Sequence, residues 1–221
     1  MFRLNLKGYK KNIAEENYGI YSFYKSNINQ SVIKAQKDVF SAFGLRINQI
    51  ADDEISHGDF LNKICNDTIS PEYIIFFDID CIPIKKEAIS KVLYQIKDGK
   101  TIAGAAQTCN HVLNGENLYV GPFFLGLSKT VYNKLNCPDM NEGSFWDVAG
   151  LLSIAAVYHK KTRIKYWYPT DVEEPKWDLY KNGKFGIGTT YENLVYHAFE
   201  SRLGSCDNGF IKKCSQVLNS I

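Results

Sequence analysis

Apolar residues along this chain follow two spacings, one typical of strands and the other typical of helices. Tyr73 to Phe77 is apolar at every position, as in a strand buried on both faces of a sheet. Residues 31–43 instead carry apolar side chains near helical spacing, and Gly44 follows them as a stop signal. The pattern predicts strands at 19–24, 45–50, 73–77, 101–106, 119–127, 164–168 and 193–199. It predicts helices at 31–43, 59–64, 86–96, 129–135 and 144–158, and a polar loop over 171–191.

Strands and helices that alternate in this way are typical of an α/β three-layer sandwich with a mostly parallel central sheet. The continuous apolar run at 73–77 is then the expected sheet centre, because a central strand is covered on both faces. The chain has 221 residues, 45% of them hydrophobic, which is enough to bury one sizeable core. Since no internal repeat or linker is evident, we expect a single domain over residues 1–221.

Charge and cysteine content narrow the classes of function. The formal net charge is only +2 and the lysines are scattered, so the chain lacks the basic patch expected of a nucleic-acid-binding protein. No uncharged run reaches membrane-spanning length, and residues 1–10 do not read as a signal peptide. We therefore expect a cytoplasmic protein without a transmembrane segment. The six cysteines are spread widely without a Cys-x-x-Cys pair, which favours reduced thiols.

Asp78 and Asp80 directly follow the predicted central strand. Two residues apart on an extended chain, their side chains point to one face at a spacing of roughly 6 to 7 Å. One divalent cation beside both carboxylates could complete its coordination shell with substrate phosphates. The carboxyl end of a central strand is also where open α/β sheets bind ligands. The alternative is that two aspartates simply end a strand in a turn near Pro83.

The segment Tyr73-Ile-Ile-Phe-Phe-Asp78-Ile-Asp80 resembles the Asp-x-Asp segment of GT-A glycosyltransferases, and two β/α units precede it as in that fold. The resemblance implies a GT-A-like, Rossmann-like fold. It also implies transfer of a sugar from a nucleoside-diphosphate sugar to a glycan or other hydroxyl acceptor, with Mn²⁺ or Mg²⁺ as cofactor. Asp80 would be the more direct metal ligand. Asp78 would bind the donor's ribose or the waters of the metal.

The same resemblance suggests roles for His197 and Asp147. Many GT-A enzymes supply a late histidine as a further metal ligand, and His197 lies on a predicted late strand. The alternative is a histidine satisfied by hydrogen bonds at a strand end. Inverting members place an acidic base near the start of a helix that corresponds to 144–158, where Asp147 stands. Ser144 and Asp147 also fit a capping box, which is the competing interpretation.

Four further residues are candidates for donor binding. Asp52 and Asp53 follow the second strand, where the family often binds the nucleoside, although a solvated turn explains them equally well. Tyr21, on the first strand, could stack on the base or belong to the core. Lys184 lies among glycines in the predicted loop, where it could neutralise the departing diphosphate as part of a lid. A plain surface loop is the alternative there.

Two other functions compete with glycosyl transfer. A haloacid-dehalogenase-like phosphatase would use Asp78 as nucleophile and Asp80 as general acid, with Mg²⁺ between them and Ser128 at a neighbouring strand end. The chain departs from that family because its Asp-x-Asp strand is third in order, and because Cys81-Ile82 stands where Gly-Thr is usual. The other competitor is a module that binds a nucleotide sugar without transferring it.

Overall fold

A computed structural model describes residues 17–109, 117–200 and 203–221. Its strands, in chain order, are β1 Tyr18–Tyr24, β2 Ile47–Ala51, β3 Tyr73–Asp78, β4 Cys81–Pro83, β5 Thr101–Thr108, β6 Leu118–Ser128, β7 Arg163–Trp167, β8 Pro169–Asp178, β9 Lys184–Tyr191 and β10 Val195–His197. Its helices are α1 Gln30–Ala42, α2 His57–Asn66, α3 Glu87–Ile96, α4 Lys129–Lys134, α5 Gly150–Tyr158 and α6 Asp207–Leu218. A short 3-10 helix, Tyr180–Asn182, joins β8 to β9.

Six strands form the main sheet in the order β2-β1-β3-β6-β5-β7. The pairs β1–β2, β1–β3 and β5–β7 are parallel, whereas β6 runs antiparallel to both of its neighbours. Five strands therefore point one way and β6 points the other. The predicted α/β class with a mostly parallel sheet is confirmed, and β3 has an inner position as its apolar sequence indicates.

The two faces of the sheet are covered by different helices, which gives the predicted three layers. Along β3, Ile75 and Phe77 pack on one face among residues of α1, α3 and α6, while Ile74 and Phe76 pack on the other among residues of α2, α4 and α5. This division follows from the alternation of side chains along a strand. Burial on both faces explains why β3 has no polar residue before Asp78.

One edge of the main sheet collects the ends of several strands. The carboxyl ends of β1 and β2 are level, since Tyr24 pairs with Ala51, and Phe23 pairs with Asp78 at the end of β3. The antiparallel strand β6 begins at the same edge, because its other end, Ser128, pairs with the first residue of β3. Loops that leave this edge can therefore bring distant parts of the chain together.

The predicted loop over 171–191 is wrong, because this segment forms a β-hairpin. Strands β8 and β9 pair antiparallel within a second sheet of order β4-β10-β9-β8. The glycines that suggested a loop serve close packing instead. A Cβ on Gly186 would lie 2.1 Å from the carbonyl oxygen of Glu174 on the paired strand. Gly188 has a φ of +67°, in the left-handed region that favours glycine.

The predicted helix over 144–158 is wrong in its first six residues. Helix α5 begins at Gly150, and Ala149 before it has the left-handed backbone angle φ 62°. The N-cap residue is Ala149 and not Ser144, so the proposed capping box of Ser144 and Asp147 is not formed. The apolar pattern extends further than the helix because Ala149 is buried in the same core as the helical residues. The predicted strand 193–199 is likewise shortened to β10.

Two expectations from composition concern membranes and disulfides. In the described ranges, no helix is long and apolar enough to cross a membrane. All six cysteines are free thiols, four of them buried, as their wide spacing predicted. The cytoplasmic compartment and the single-domain organisation of residues 1–221 stay predictions.

Candidate metal and donor site

Asp78, Asp80 and His197 meet at the edge where β3 ends. Strand β4 follows β3 after a two-residue turn, and β10 pairs antiparallel with β4 so that His197 lies opposite Cys81. The Nε2 atom of His197 is 3.1 Å from Oδ1 of Asp80 and 3.9 Å from Oδ2 of Asp78. One potential ligand atom from each of the three residues lies within 4.8 Å of the others. This pairing of short strands explains how a late histidine joins the Asp-x-Asp motif.

The chemistry of this cluster fits a divalent cation. Two carboxylates and one imidazole supply oxygen and nitrogen ligands, a set that suits Mn²⁺ and, less closely, the oxygen-preferring Mg²⁺. The side chains of Asp80 and His197 are only 7% and 4% exposed, whereas that of Asp78 is 30% exposed. Asp78 is thus the most accessible of the three candidate ligands. Nδ1 of His197 is buried and has no hydrogen-bond partner in the described part of the chain, so the ring is held through its Nε2 side and by packing.

Burial raises the pKa of Asp78, and the negative charges of Asp80 and Asp147 raise it further, while the nearby His57 and His197 oppose the shift. Three carboxylates that disfavour each other's charge in one place are costly to the fold unless a cation offsets them. Such a cluster is a frequent property of functional sites. It also shows that the charge of Asp147 acts on Asp78.

Aromatic side chains enclose His197. Phe123 of β6 stacks on the imidazole with ring centroids 4.1 Å apart and an interplanar angle of 19°. Phe199 lies on it at a centroid distance of 3.7 Å. These contacts restrict the rotation of a buried ring that has few polar partners. The side chain is therefore positioned by packing before any ligand binds.

Gln36 of helix α1 forms hydrogen bonds with the backbone of the Asp-x-Asp turn, and its role was not predicted from the sequence. Its Nε2 atom donates to the carbonyl oxygens of Asp78 and Cys81, at 2.6 and 2.9 Å. Its Oε1 accepts from Nε2 of Gln49 at 3.0 Å. Gln36 is fully buried on the apolar face of α1, and this is the signal that could have identified it. A glutamine there needs internal partners, which strand-end carbonyls can supply.

His57 is a second site residue that sequence reasoning missed. Its Nε2 atom is 3.6 Å from Oδ1 of Asp78, whereas the ion-pair distance of His197 is to the other oxygen, Oδ2. His57 is the first residue of α2, where Ser56 and Asp59 form a capping box, and its ring stacks on Phe23. A histidine directly after the helix cap, at the end of the connection between β2 and α2, was the available signal.

Asp147 lies in the loop before α5, at the same edge of the main sheet. The hydroxyl of Tyr119, near the start of β6, donates to Oδ2 of Asp147 at 2.8 Å, and the backbone N–H of Val148 donates to Oδ1 at 2.7 Å. Burial, followed by the charge of Asp147, raises the pKa of Tyr119 well above its ordinary value. Tyr119 therefore remains a hydrogen-bond donor, and Asp147 is held in one orientation.

The loop that carries Asp147 is anchored to the start of α2. Asn141 accepts from the Ser56 hydroxyl at 2.7 Å and donates to Asp59 at 2.9 Å. The backbone carbonyl oxygen of Asn141 accepts from the indole N–H of Trp146 at 3.2 Å. Hydrogen bonds thus connect the segment that carries Asp147 to the start of the helix that carries His57.

The predicted nucleoside-binding acids also lie at this edge. Asp52 and Asp53 follow β2, and each side chain accepts a backbone hydrogen bond, from Glu54 at 2.9 Å and from Ser26 at 2.8 Å respectively. The bond from Ser26 is the main reason why the pKa of Asp53 is lowered. These bonds shape the turn that follows β2. They leave both acids at the surface on the side where a donor nucleoside was expected.

Tyr21 and Lys184 lie away from the cluster. The ring of Tyr21 covers Gly19 and packs on Phe76. Burial raises its pKa, and its hydroxyl is influenced by Ser70 and Asp67, which precede β3 at the opposite edge of the sheet. Lys184 begins β9, with Nζ 3.7 Å from Asp178. It is five residues from Thr189, the partner of His197, or about 17 Å along an extended strand.

Ser128, which the phosphatase alternative requires near Asp78, is at the wrong end of the sheet. It pairs with Tyr73, five residues before Asp78, because β6 runs antiparallel to β3. Its hydroxyl accepts from the backbone N–H of Val131 and caps α4. The direction of β6, which the sequence did not reveal, therefore removes this serine from the site.

The chain matches no protein-family model and no curated protein. A solved structure of Drosophila β-1,4-galactosyltransferase 7, in complex with manganese, UDP-Gal and xylobiose, is 11% identical in sequence to this chain. The match covers 86% of this chain and 74% of the galactosyltransferase chain, with a TM-score of 0.46. Protein A197 from STIV is 12% identical over 52% of this chain and 68% of its own, with a TM-score of 0.34. A candidate glucose-1-phosphate thymidylyltransferase from Bacillus anthracis is 9% identical over 67% and 85%, with a TM-score of 0.35. At these TM-scores the likenesses carry no argument on function.

Proposed function

We propose that this protein is a metal-dependent glycosyltransferase, which moves a sugar from a nucleoside-diphosphate sugar to a glycan or other hydroxyl acceptor. The observation that carries the proposal is the convergence of Asp78, Asp80 and His197 within 4.8 Å, with Asp147 close enough to raise the pKa of Asp78. The cluster lies at the carboxyl edge of a mostly parallel sheet, where such folds bind their ligands. It combines a cation site with a separate carboxylate that can act as a base.

Asp80 and His197 would hold the cation from the buried side, since both side chains are almost fully enclosed. Asp78 is more exposed and would bind the donor's ribose or the waters of the metal. A divalent cation in this position, Mn²⁺ or Mg²⁺, would neutralise the donor's diphosphate as it leaves. The rigid surroundings of Asp80 and His197 would keep these ligands in place during the reaction.

Asp147 would act as the general base. One of its oxygens would accept the proton of the acceptor hydroxyl while that hydroxyl oxygen forms a bond to the anomeric carbon of the donor. The bond between that carbon and the diphosphate oxygen would break, and the nucleoside diphosphate would leave. Tyr119 and the Val148 N–H would orient the carboxylate for this step. Attack from the side opposite the diphosphate would invert the anomeric configuration.

Further donor contacts are proposed along the same edge of the sheet. Asp52 and Asp53 would bind the nucleoside, because they follow β2 at the edge that also carries Asp78. His57, 3.6 Å from Asp78, is a further candidate on that side. Tyr21 and Lys184 stay predictions, and movement of the β8–β9 hairpin would be needed to bring Lys184 to a donor.

The test uses a panel of nucleoside-diphosphate sugars, each with Mn²⁺. The first measurement is the thermal midpoint of the protein. The second is the release of nucleoside diphosphate when a mixture of sugar acceptors is added. A ligand that binds the folded state raises the midpoint. Asp80→Asn is expected to lose the metal-dependent shift and the turnover. Asp147→Asn is expected to keep the shift but lose turnover at least 100-fold, the usual scale for a general base. Asp171→Asn, on the exposed strand β8, is the control and should change neither.

The alternatives predict different results. A shift with a sugar nucleotide, without release of nucleoside diphosphate under any condition, would indicate a binding module. Turnover of a phosphate ester that depends on Asp78, without any sugar-nucleotide shift, would indicate a phosphatase. Unchanged turnover in Asp80→Asn would refute the proposed cation site.

A further inference from the structure

A cavity of about 250 Å³ opens beside Asp147. Helix α5 forms one wall of it with residues 150, 153, 154, 157 and 158. These positions follow the i, i+3, i+4, i+7, i+8 spacing of a single helical face. The opposite face of α5, with Leu152 and Ala156, is buried in the core. The cavity therefore extends from Asp147 along a helix face of about 12 Å, at 1.5 Å per residue.

The outer part of this face is apolar and exposed. Helix α5, Gly150–Tyr158, has no charged residue, although a helix at the surface usually carries charges on its outer side. Val157 and Tyr158 are 68% and 83% exposed, and Phe145 across the cavity is 57% exposed. An apolar surface of this kind at a cavity commonly marks a ligand-binding site.

The polar side chains that line the cavity include Asp147, Tyr119, Ser153 and the exposed Asn117. Among the described residues that line the cavity, Asp147 is the one with a charged side chain, and the Tyr119 hydroxyl donates to it. The hydroxyl of Ser153 accepts from the backbone N–H of Val120 at 3.0 Å. A molecule that fills the cavity would thus meet a carboxylate at one end, and Ile154, Val157 and aromatic rings at the other. The arrangement suits a hydroxyl group joined to an apolar group.

The size of the cavity limits the occupant. Pockets for drug-sized ligands usually measure roughly 300 to 1,000 Å³. A volume of about 250 Å³ is below this range and has room for a single ring with its substituents. An oligosaccharide would place many hydroxyl groups against Val157 and Ile154, which offer them no hydrogen-bond partner.

We infer that this cavity binds an apolar aglycone of the acceptor, an aryl or alkyl group adjacent to the hydroxyl-bearing part that Asp147 contacts. Trp146 and Phe145 would pack on the apolar group, and Val157 and Tyr158 would cover it from α5. The inference rests on the proposed function, because only a transferase has an acceptor. The binding of the apolar group itself requires neither donor nor turnover.

The experiment compares phenyl and methyl glycosides of the same sugar, over a panel of common sugars, by NMR of the indole N–H signals with and without Mn²⁺ and UDP. Trp146→Phe assigns the Trp146 signal. For at least one sugar, the phenyl glycoside is expected to bind about tenfold more tightly than the methyl glycoside, a difference of about 1.4 kcal/mol in binding free energy. It should also shift the Trp146 signal. Val157→Lys should abolish this preference because it places a charge on the apolar wall. Ile69→Lys, at a residue 90% exposed in the loop after α2, is the matched control and should leave it unchanged.

Equal affinity for phenyl and methyl glycosides in every pair would overturn the inference, as would a preference that survives Val157→Lys. A change of oligomeric state in Val157→Lys, with no effect on glycoside binding, would also overturn it by showing that the face covers another copy. The test of the proposed function is independent of this result. If the phenyl preference is present but no sugar nucleotide binds, the glycosyltransferase proposal fails while the apolar site stands.

Discussion

The side chain of Gln36 holds the backbone of Asp78 in place, with 2.6 Å between Nε2 and the carbonyl oxygen of a residue 42 positions later. A second hydrogen bond, to the carbonyl oxygen of Cys81, spans the turn that contains Asp80. One buried amide thereby connects helix α1 to both ends of the Asp-x-Asp motif. The geometry of the candidate cation site therefore depends on a residue that is not one of its three candidate ligands.

Replacing Gln36 by Leu should weaken both stability and cation binding. The change leaves two buried carbonyl oxygens without their donor, and we expect a loss of about 2 kcal/mol in the free energy of unfolding. Urea unfolding gives this value, and the Mn²⁺-induced rise of the thermal midpoint should be smaller than in wild type. Gln95→Leu is the control, since Gln95 accepts from the Trp167 indole away from the site. That variant should lose stability but keep the Mn²⁺ effect; an equal loss of the Mn²⁺ effect in both would contradict the role of Gln36.

His197→Asn should change the preference among metals. The substitution replaces an imidazole nitrogen by an amide, and nitrogen ligands favour Mn²⁺ over Mg²⁺. We expect affinity for Mn²⁺, measured by calorimetry, to fall at least about tenfold, or 1.4 kcal/mol, with a smaller change for Mg²⁺. His159→Asn, after the end of α5, serves as the histidine control. Unaltered Mn²⁺ affinity in His197→Asn would exclude this residue from the cation site.

Gly58→Ala should disturb the site although alanine is the better helix former. A Cβ at Gly58 would lie 2.5 Å from the Cα of Asn141, so α2 and the loop that carries Asp147 would have to separate. We expect a lower thermal midpoint and reduced transferase turnover. Gly209→Ala, in α6, meets nothing within 4 Å and should instead stabilise the protein by up to about 1 kcal/mol. Similar effects of the two substitutions on the thermal midpoint and turnover would show that the close contact between Gly58 and Asn141 is not what makes Gly58→Ala unfavourable.

Asp98 should contribute stability that is lost in acid. Burial raises its pKa, but hydrogen bonds from the Lys100 N–H, Arg163 and Thr101 outweigh this, and the net pKa is lowered from 3.8. A group with a lowered pKa in the folded state stabilises the protein above its ordinary pKa, and the contribution disappears as the pH falls through the folded value. Asp98→Asn should therefore cost about 1 kcal/mol at pH 7, shown by urea unfolding, and the difference from wild type should shrink below the ordinary pKa. Asp171→Asn, on the exposed strand β8, is the control and should leave the free energy of unfolding at pH 7 unchanged.

Much of the local structure was predictable because it depends on periodicity. The buried strand β3 and the helices α1 and α3 follow directly from apolar spacing, and their predicted bounds differ from the observed ones by at most one residue. The Asp-x-Asp motif was recognisable for the same reason, since two acids directly after a fully apolar strand must lie at a sheet edge. The β8–β9 hairpin was missed because its glycines serve close strand packing, which composition does not distinguish from a loop.

The sequence by itself determined the α/β class, the central strand and the position of Asp78 and Asp80 at its end, because these depend on contacts between residues that are near in the chain. Only the tertiary structure decided which distant side chains join them. The pairing of β10 with β4 brings His197 to Asp80, the cap of α2 brings His57 to Asp78, and the direction of β6 takes Ser128 away. His197 and Asp80 are 117 positions apart in the chain, and the periodicity of apolar residues within one element does not indicate which distant element will pair with it.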